Sequence, residues 1–151
     1  MKATKKSKLL LLLVCFMAFN CNLVADEIIT FTWKGGINKN FRIEASSNKQ
    51  FTVNWGDGSV IESKTGTGNN QTLTHNYDND SDYTVVIIGV TIDCLFTKLY
   101  IADCQLSSLD LSKNSALTFL DCAYNQLNNL DMTKNPSLYY LGCYNNQLND
   151  L

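Results

Sequence analysis

Three segments decide the fold: Phe96-Thr-Lys-Leu-Tyr-Ile-Ala-Asp-Cys-Gln-Leu106, Leu117-Thr-Phe-Leu-Asp-Cys-Ala-Tyr-Asn-Gln-Leu127 and Leu138-Tyr-Tyr-Leu-Gly-Cys-Tyr-Asn-Asn-Gln-Leu148. Each begins 21 residues after the last, and their apolar positions fall in columns of the form LxxLxLxx(N/C)xL. The match extends beyond the apolar columns, because Asp110, Lys113 and Asn114 recur as Asp131, Lys134 and Asn135. A fixed period of this length implies that one structural unit is stacked on itself, burying a continuous core.

Within each period Leu120-x-Cys122-x-x-Asn125 is echoed by Leu130-x-Met132-x-x-Asn135. Alternate residues of a strand point to opposite faces, so the Leu and Cys of each short strand turn inward and their neighbours turn outward. Two short strands per coil are expected to stack into two parallel sheets. Asn114, Asn125, Asn135 and Asn146 stand where turns are needed, and their amides suit buried backbone groups and left-handed geometry. This grammar resembles the short-period leucine-rich repeats of exported proteins of the Bacteroidetes type. The resemblance implies a solenoid over residues 93–151, about two and a half repeats with no polar terminal repeat. The expectation is therefore a truncated solenoid that continues in a longer parent or self-associates through its open C-terminal repeat.

The preceding stretch, 26–92, has short runs rich in Val, Ile, Thr and aromatics: Ile28 to Trp33, Phe41 to Ala45, Phe51 to Trp55, Val60 to Ser63, Thr72 to Tyr77 and Tyr83 to Ile88. Gly, Asn and Asp clusters separate them, so a small all-β sandwich is expected. Trp55-Gly56-Asp57-Gly58-Ser59 is its sharpest turn signal, with Asp-Gly suited to the positive φ of a tight hairpin. With His75-Asn76-Tyr77 and the closing Tyr83-Thr-Val-Val-Ile-Ile88, that motif resembles the polycystic-kidney-disease (PKD) domain. Ser81-Asp82 stands where the family places a glycine. The resemblance implies an immunoglobulin-like β-sandwich, commonly a spacer or adhesion module. The fold class expected is thus mainly β, an immunoglobulin-like sandwich followed by a leucine-rich-repeat solenoid with parallel strands. Ile88 to Leu95 is expected to cap the first coil.

Lys2, Lys5, Lys6 and Lys8, the apolar run Leu9 to Phe19 and Leu23-Val24-Ala25 have the order of a signal peptide over residues 1–25. The apolar run is too short to span a bilayer, so a secreted or cell-surface protein without a membrane span is expected. Cys21 would be the lipid-bearing residue of a lipoprotein, but Asn20 stands where such signals want a small residue. Removal of the leader would leave 8 basic against 14 acidic residues, a formal charge of −6. An acidic chain without a basic cluster excludes nucleic acid and anionic lipid surfaces as expected partners.

Cys104, Cys122 and Cys143 follow the repeat grammar as small buried hydrophobes, and no CxxC pair suggests a metal. His75 falls within a structural motif and is the single histidine of the chain, so no catalytic role and no cofactor is expected. Asp78, Asp80 and Asp82 alternate as in calcium loops but lack the central Gly and later Glu of an EF-hand, so an acidic solvated turn explains them better and calcium is a weak candidate. Projection of the repeat places Lys98, Tyr100, Ala102, Phe119, Asp121, Ala123, Tyr140, Gly142 and Tyr144 on the outer face. Tyr100, Phe119, Asp121, Tyr140 and Tyr144 are the candidate ligand-binding residues, since exposed aromatics supply large contact area at low entropic cost. A protein ligand is expected. A glycan bound by an accessory module, and an appendage of a larger surface enzyme, are the competing functions.

Overall fold

The computed structural model describes residues 27–149. The signal-peptide reading, Cys21 and Leu151 fall outside the described residues. Among those described there is no helix, hence none long and apolar enough to cross a membrane. The described residues are mainly β, with ten strands in two five-stranded sheets.

Strands β1 (Ile28–Lys34), β3 (Gln50–Asn54), β4 (Glu62–Thr65), β6 (Asp82–Gly89) and β8 (Leu106–Asp110) form one sheet in the order β4-β3-β6-β1-β8. Strands β2 (Lys39–Ala45), β5 (Asn70–His75), β7 (Phe96–Tyr100), β9 (Phe119–Asp121) and β10 (Tyr140–Gly142) form the second, in the order β10-β9-β7-β2-β5. Alternation drives both. In β1, Ile29, Phe31 and Trp33 are fully buried and their neighbours are not. Inside, Trp33 stacks on Trp55 at 6.3 Å while Phe31 and Phe41 meet edge to face at 5.4 Å. Trp33 Nε1–H donates to Tyr77 Oη, which donates to Trp55 O, so the polar edges of this aromatic core are paired. One continuous hydrophobic cluster runs from Ile29 to Leu130.

The repeat segment continues both sheets. β7 pairs antiparallel with β2, and β8 pairs antiparallel with β1. The strands beside the first coil are therefore β1 and β2; β6, the strand leading into residues 89–95, lies inside its sheet between β3 and β1. Strand pairing at the start of the repeat, where Ile88 to Leu95 is expected as a cap, is thus supplied by β1 and β2 and not by β6. The segment between β6 and β7 is fastened at another place, with Val90 N–H on Gln50 O and Ser46 N–H on Leu95 O.

β7, β9 and β10 are parallel, with Leu99, Leu120 and Leu141 in register. The expected second parallel sheet is replaced. Among the described residues β8 alone of the second half-coils is a strand, and it belongs to an antiparallel pair. Asparagine amides satisfy the backbone groups of the turns between the half-coils: Asn125 Oδ1 accepts from Cys104 N–H and Leu106 N–H, and Asn146 Oδ1 from Leu127 N–H. Asn135 Nδ2 donates to Leu111 O and Asn114 O. Each side chain thus satisfies buried polar groups of the coil before it.

The first turn also departs from its sequence reading. Gly56 and Gly58 hold positive φ of 86° and 88°, but residues 55–61 separate β3 from β4, so this is no two-residue hairpin. A Cβ on Gly56 would stand 2.3 Å from Thr84 O, which leaves no room for another residue. Val60, expected in a strand, is 87 % exposed.

Candidate functional site

The outer face of the second sheet gathers most of the sequence-derived candidates. Its register sets Glu44, Lys98, Phe119 and Tyr140 in one row and Arg42, Tyr100, Asp121 and Gly142 in the next. Neighbouring strands lie about 4.8 Å apart, close to the distance at which aromatic rings stack. Phe119 and Tyr140 use this spacing, with centroids 4.2 Å apart and planes 6° from parallel. Tyr100 leans across to Phe119 at 4.6 Å. The Arg42 guanidinium covers the far side of Tyr100, 4.7 Å from its centroid. The result is a ladder, Arg42, Tyr100, Phe119 and Tyr140, crossing four strands.

Gly142 makes the end of the ladder possible. A Cβ there would lie 3.1 Å from Asp121 Oδ1 and 3.3 Å from Tyr140 Cε1, so the glycine lets both side chains close over β10. Asp121 also accepts from Ala123 N–H at 3.3 Å. Beside Tyr100 a pocket of about 150 Å³ is lined by Asn40, Arg42, Ala102, Cys104 and Asp121. Glu44 is engaged elsewhere on the same face, by Lys98 Nζ at 3.1 Å and Thr97 Oγ1 at 2.9 Å. The ion pair and its hydrogen bond hold the Lys98 ammonium above its ordinary pKa.

Tyr144 does not stack in the ladder; its ring meets Tyr124 edge to face at 5.1 Å. Ala123 was expected outside and is fully buried, because β9 ends at Asp121 and strict alternation ends with it. The chain turns at Tyr124, whose φ is 55°, and this turns the phenol ring to solvent. Tyr124 was missed by projection of alternate residues. Its column was the available signal: 21 residues away on either side stand Asp103 and Asn145, residue types suited to left-handed backbone, and both adopt it. Arg42 was missed because it comes from a sandwich strand and not from the repeat.

The acidic run does not converge. Asp82 pairs with Lys34 at 3.5 Å, while Asp78 and Asp80 are exposed. Asn79 Oδ1 holds the turn by accepting from Ser81 N–H and Tyr83 Oη–H. Among the described residues no group of three or more His, Cys, Asp or Glu side chains could hold a metal ion.

His75 is held on two sides. Its Nε2 is 2.7 Å from Asp57 Oδ2, and its ring stacks on Trp55 at 4.8 Å. Burial raises the Asp57 carboxyl, but hydrogen bonds from Ser59 and His75 outweigh that and bring it down to about 2. Trp55 Nε1–H donates to Glu62 Oε1, completing a network that ties the 55–61 loop to β4 and β5.

Comparison with family models, curated proteins and solved structures finds no match for the chain.

Proposed function

We propose that this is an exported, non-catalytic binding or adhesion protein, in which a PKD-like sandwich and leucine-rich-repeat coils together present the outer face of the second sheet to a protein ligand. The observation that carries the reading is the continuous ladder of Arg42, Tyr100, Phe119 and Tyr140. Mutual packing fixes these rings before any ligand arrives, which lowers the ordering cost of binding. Tyr124 and Tyr144, more than half exposed, widen the same aromatic surface.

Ring orientation favours protein over glycan. Sugars stack on open aromatic faces, whereas Phe119 lies between Tyr100 and Tyr140 and Tyr100 between Phe119 and Arg42, which leaves Tyr140 as the ladder ring with a face not taken by a ladder neighbour. The ladder offers ring edges and hydroxyls, suited to side chains and peptide groups. His75 and Asp57, the pair with the most catalytic composition, are committed to Trp55 and the 55–61 loop, which supports a structural role for both.

Panning a random peptide display library on the immobilised protein tests the reading, with Phe119→Ala and Tyr140→Ala proteins as controls. Enrichment of a consensus by the wild type and its loss on both variants is expected. Equal enrichment on all three, or binding confined to a glycan array, would overturn it.

A further inference from the structure

The pocket beside Tyr100 carries two opposite charges that are not spent on each other. Among the described residues neither Arg42 nor Asp121 forms an ion pair, although both line the same pocket of about 150 Å³. The nearby carboxylate that would most simply neutralise Arg42, that of its β2 neighbour Glu44, is taken by Lys98 and Thr97. Meanwhile the Arg42 guanidinium lies over the ring of Tyr100, 4.7 Å from its centroid, a contact that keeps it beside the pocket. A planar guanidinium matches a carboxylate in charge and in bidentate geometry. Asp121 has no donor to offer a carboxylate when ionised, but it accepts an N–H readily.

We propose that this pocket anchors an aspartate or glutamate of an extended ligand segment: Arg42 binds the side-chain carboxylate, Asp121 accepts a neighbouring peptide N–H, and the aromatic ladder packs the flanking residues. This rests on the protein-binding reading and names its specificity. The overall acidity of the chain is no obstacle at working ionic strength. Charges beyond about 8 Å are largely screened, whereas a contact within the pocket is not.

The test extends the library experiment to Arg42→Glu and Arg42→Gln, each first checked for an unchanged melting profile. The wild-type consensus is expected to contain Asp or Glu. A synthetic consensus peptide should bind either variant at least about tenfold more weakly, the size expected for a charge-assisted hydrogen bond. Replacing its acidic residue by Asn or Gln should weaken wild-type binding by a similar factor. A consensus that lacks an acidic residue, or carries Lys or Arg in its place, overturns this inference and leaves the protein-binding reading intact. Loss of discrimination between wild type and Phe119→Ala overturns that reading and this inference with it.

Discussion

Asn114 Nδ2 donates to Glu27 Oε2 at 2.7 Å, across 87 residues of sequence. Both side chains are buried, and the same Glu27 oxygen lies 3.4 Å from the Phe96 amide nitrogen. The next coil repeats the arrangement with different acceptors: Asn135 Nδ2 donates to Leu111 O and Asn114 O. Glu27 therefore stands where a preceding coil would supply carbonyls, and it joins the start of β1 to the repeat. Glu27→Ala would leave the Asn114 amide and the Phe96 N–H without this acceptor inside the protein. Such losses cost about 1–3 kcal/mol each, so the chemical-denaturation midpoint should fall clearly. Glu44→Ala, on the partly exposed outer face, serves as the comparison and should cost about 1 kcal/mol or less.

Asp57 gives the fold an acid-sensitive joint. Its folded pKa of about 2 lies below its ordinary value of 3.8. A depressed carboxylate adds stability that is fully present above the ordinary value and is lost as pH falls from about 4 towards 2. After allowance for solvent screening the contribution is about 1 kcal/mol. Urea midpoints measured from pH 6 down to pH 2.5 should fall less steeply for Asp57→Asn than for the wild type. Parallel slopes would show that His75 and Ser59 do not stabilise the ionised carboxylate.

The parts of this architecture open to reading from sequence are those in which one period governs everything. Leu99 and Leu120 share a register because they stand one 21-residue period apart. Phe119 lies beside Tyr140 for the same reason. Contacts made by segments outside the period were hidden. Nothing local to Glu27 marks it as the acceptor for Asn114, and nothing local to Arg42 says that its guanidinium will cover Tyr100. Both follow from β1 and β2 flanking the repeat, a pairing decided by tertiary packing. The second parallel sheet was not legible for a tertiary reason, because the one second half-coil that forms a strand among the described residues, β8, is paired by β1.

Thiol chemistry offers a direct probe of that packing. Among the described residues Cys94, Cys104, Cys122 and Cys143 are free, and the first three are buried. Burial pushes the Cys104 thiol up to about 11 and that of Cys122 up to about 12. The reactive species is the thiolate, so these two should resist alkylation at pH 8 until the protein unfolds. Half-buried Cys143 should be labelled first. Peptide mapping after timed iodoacetamide treatment would show the order, and early labelling of Cys122 would contradict the packing of the second coil.

Tyr124 places strain at the candidate binding face. Asp103 and Asn145 share its left-handed backbone at 21-residue spacing with φ of 54° each, and their short polar side chains tolerate that geometry better than a tyrosine does. The ring is returned something by its contact with Tyr144, 5.1 Å away. Tyr124→Asn alone would mix the two effects, since it relieves the backbone and removes the contact. In a Tyr144→Ala background the contact is already gone, and Tyr124→Asn should then stabilise the protein by about 0.5–1 kcal/mol. The double-mutant cycle should return a coupling of about 0.5–1 kcal/mol for the ring pair. If Tyr124→Asn destabilises the Tyr144→Ala protein, the tyrosine has a structural role that its exposed ring does not reveal. If it stabilises that protein, and the single variant loses peptide binding, stability has been traded for a binding ring held in solvent.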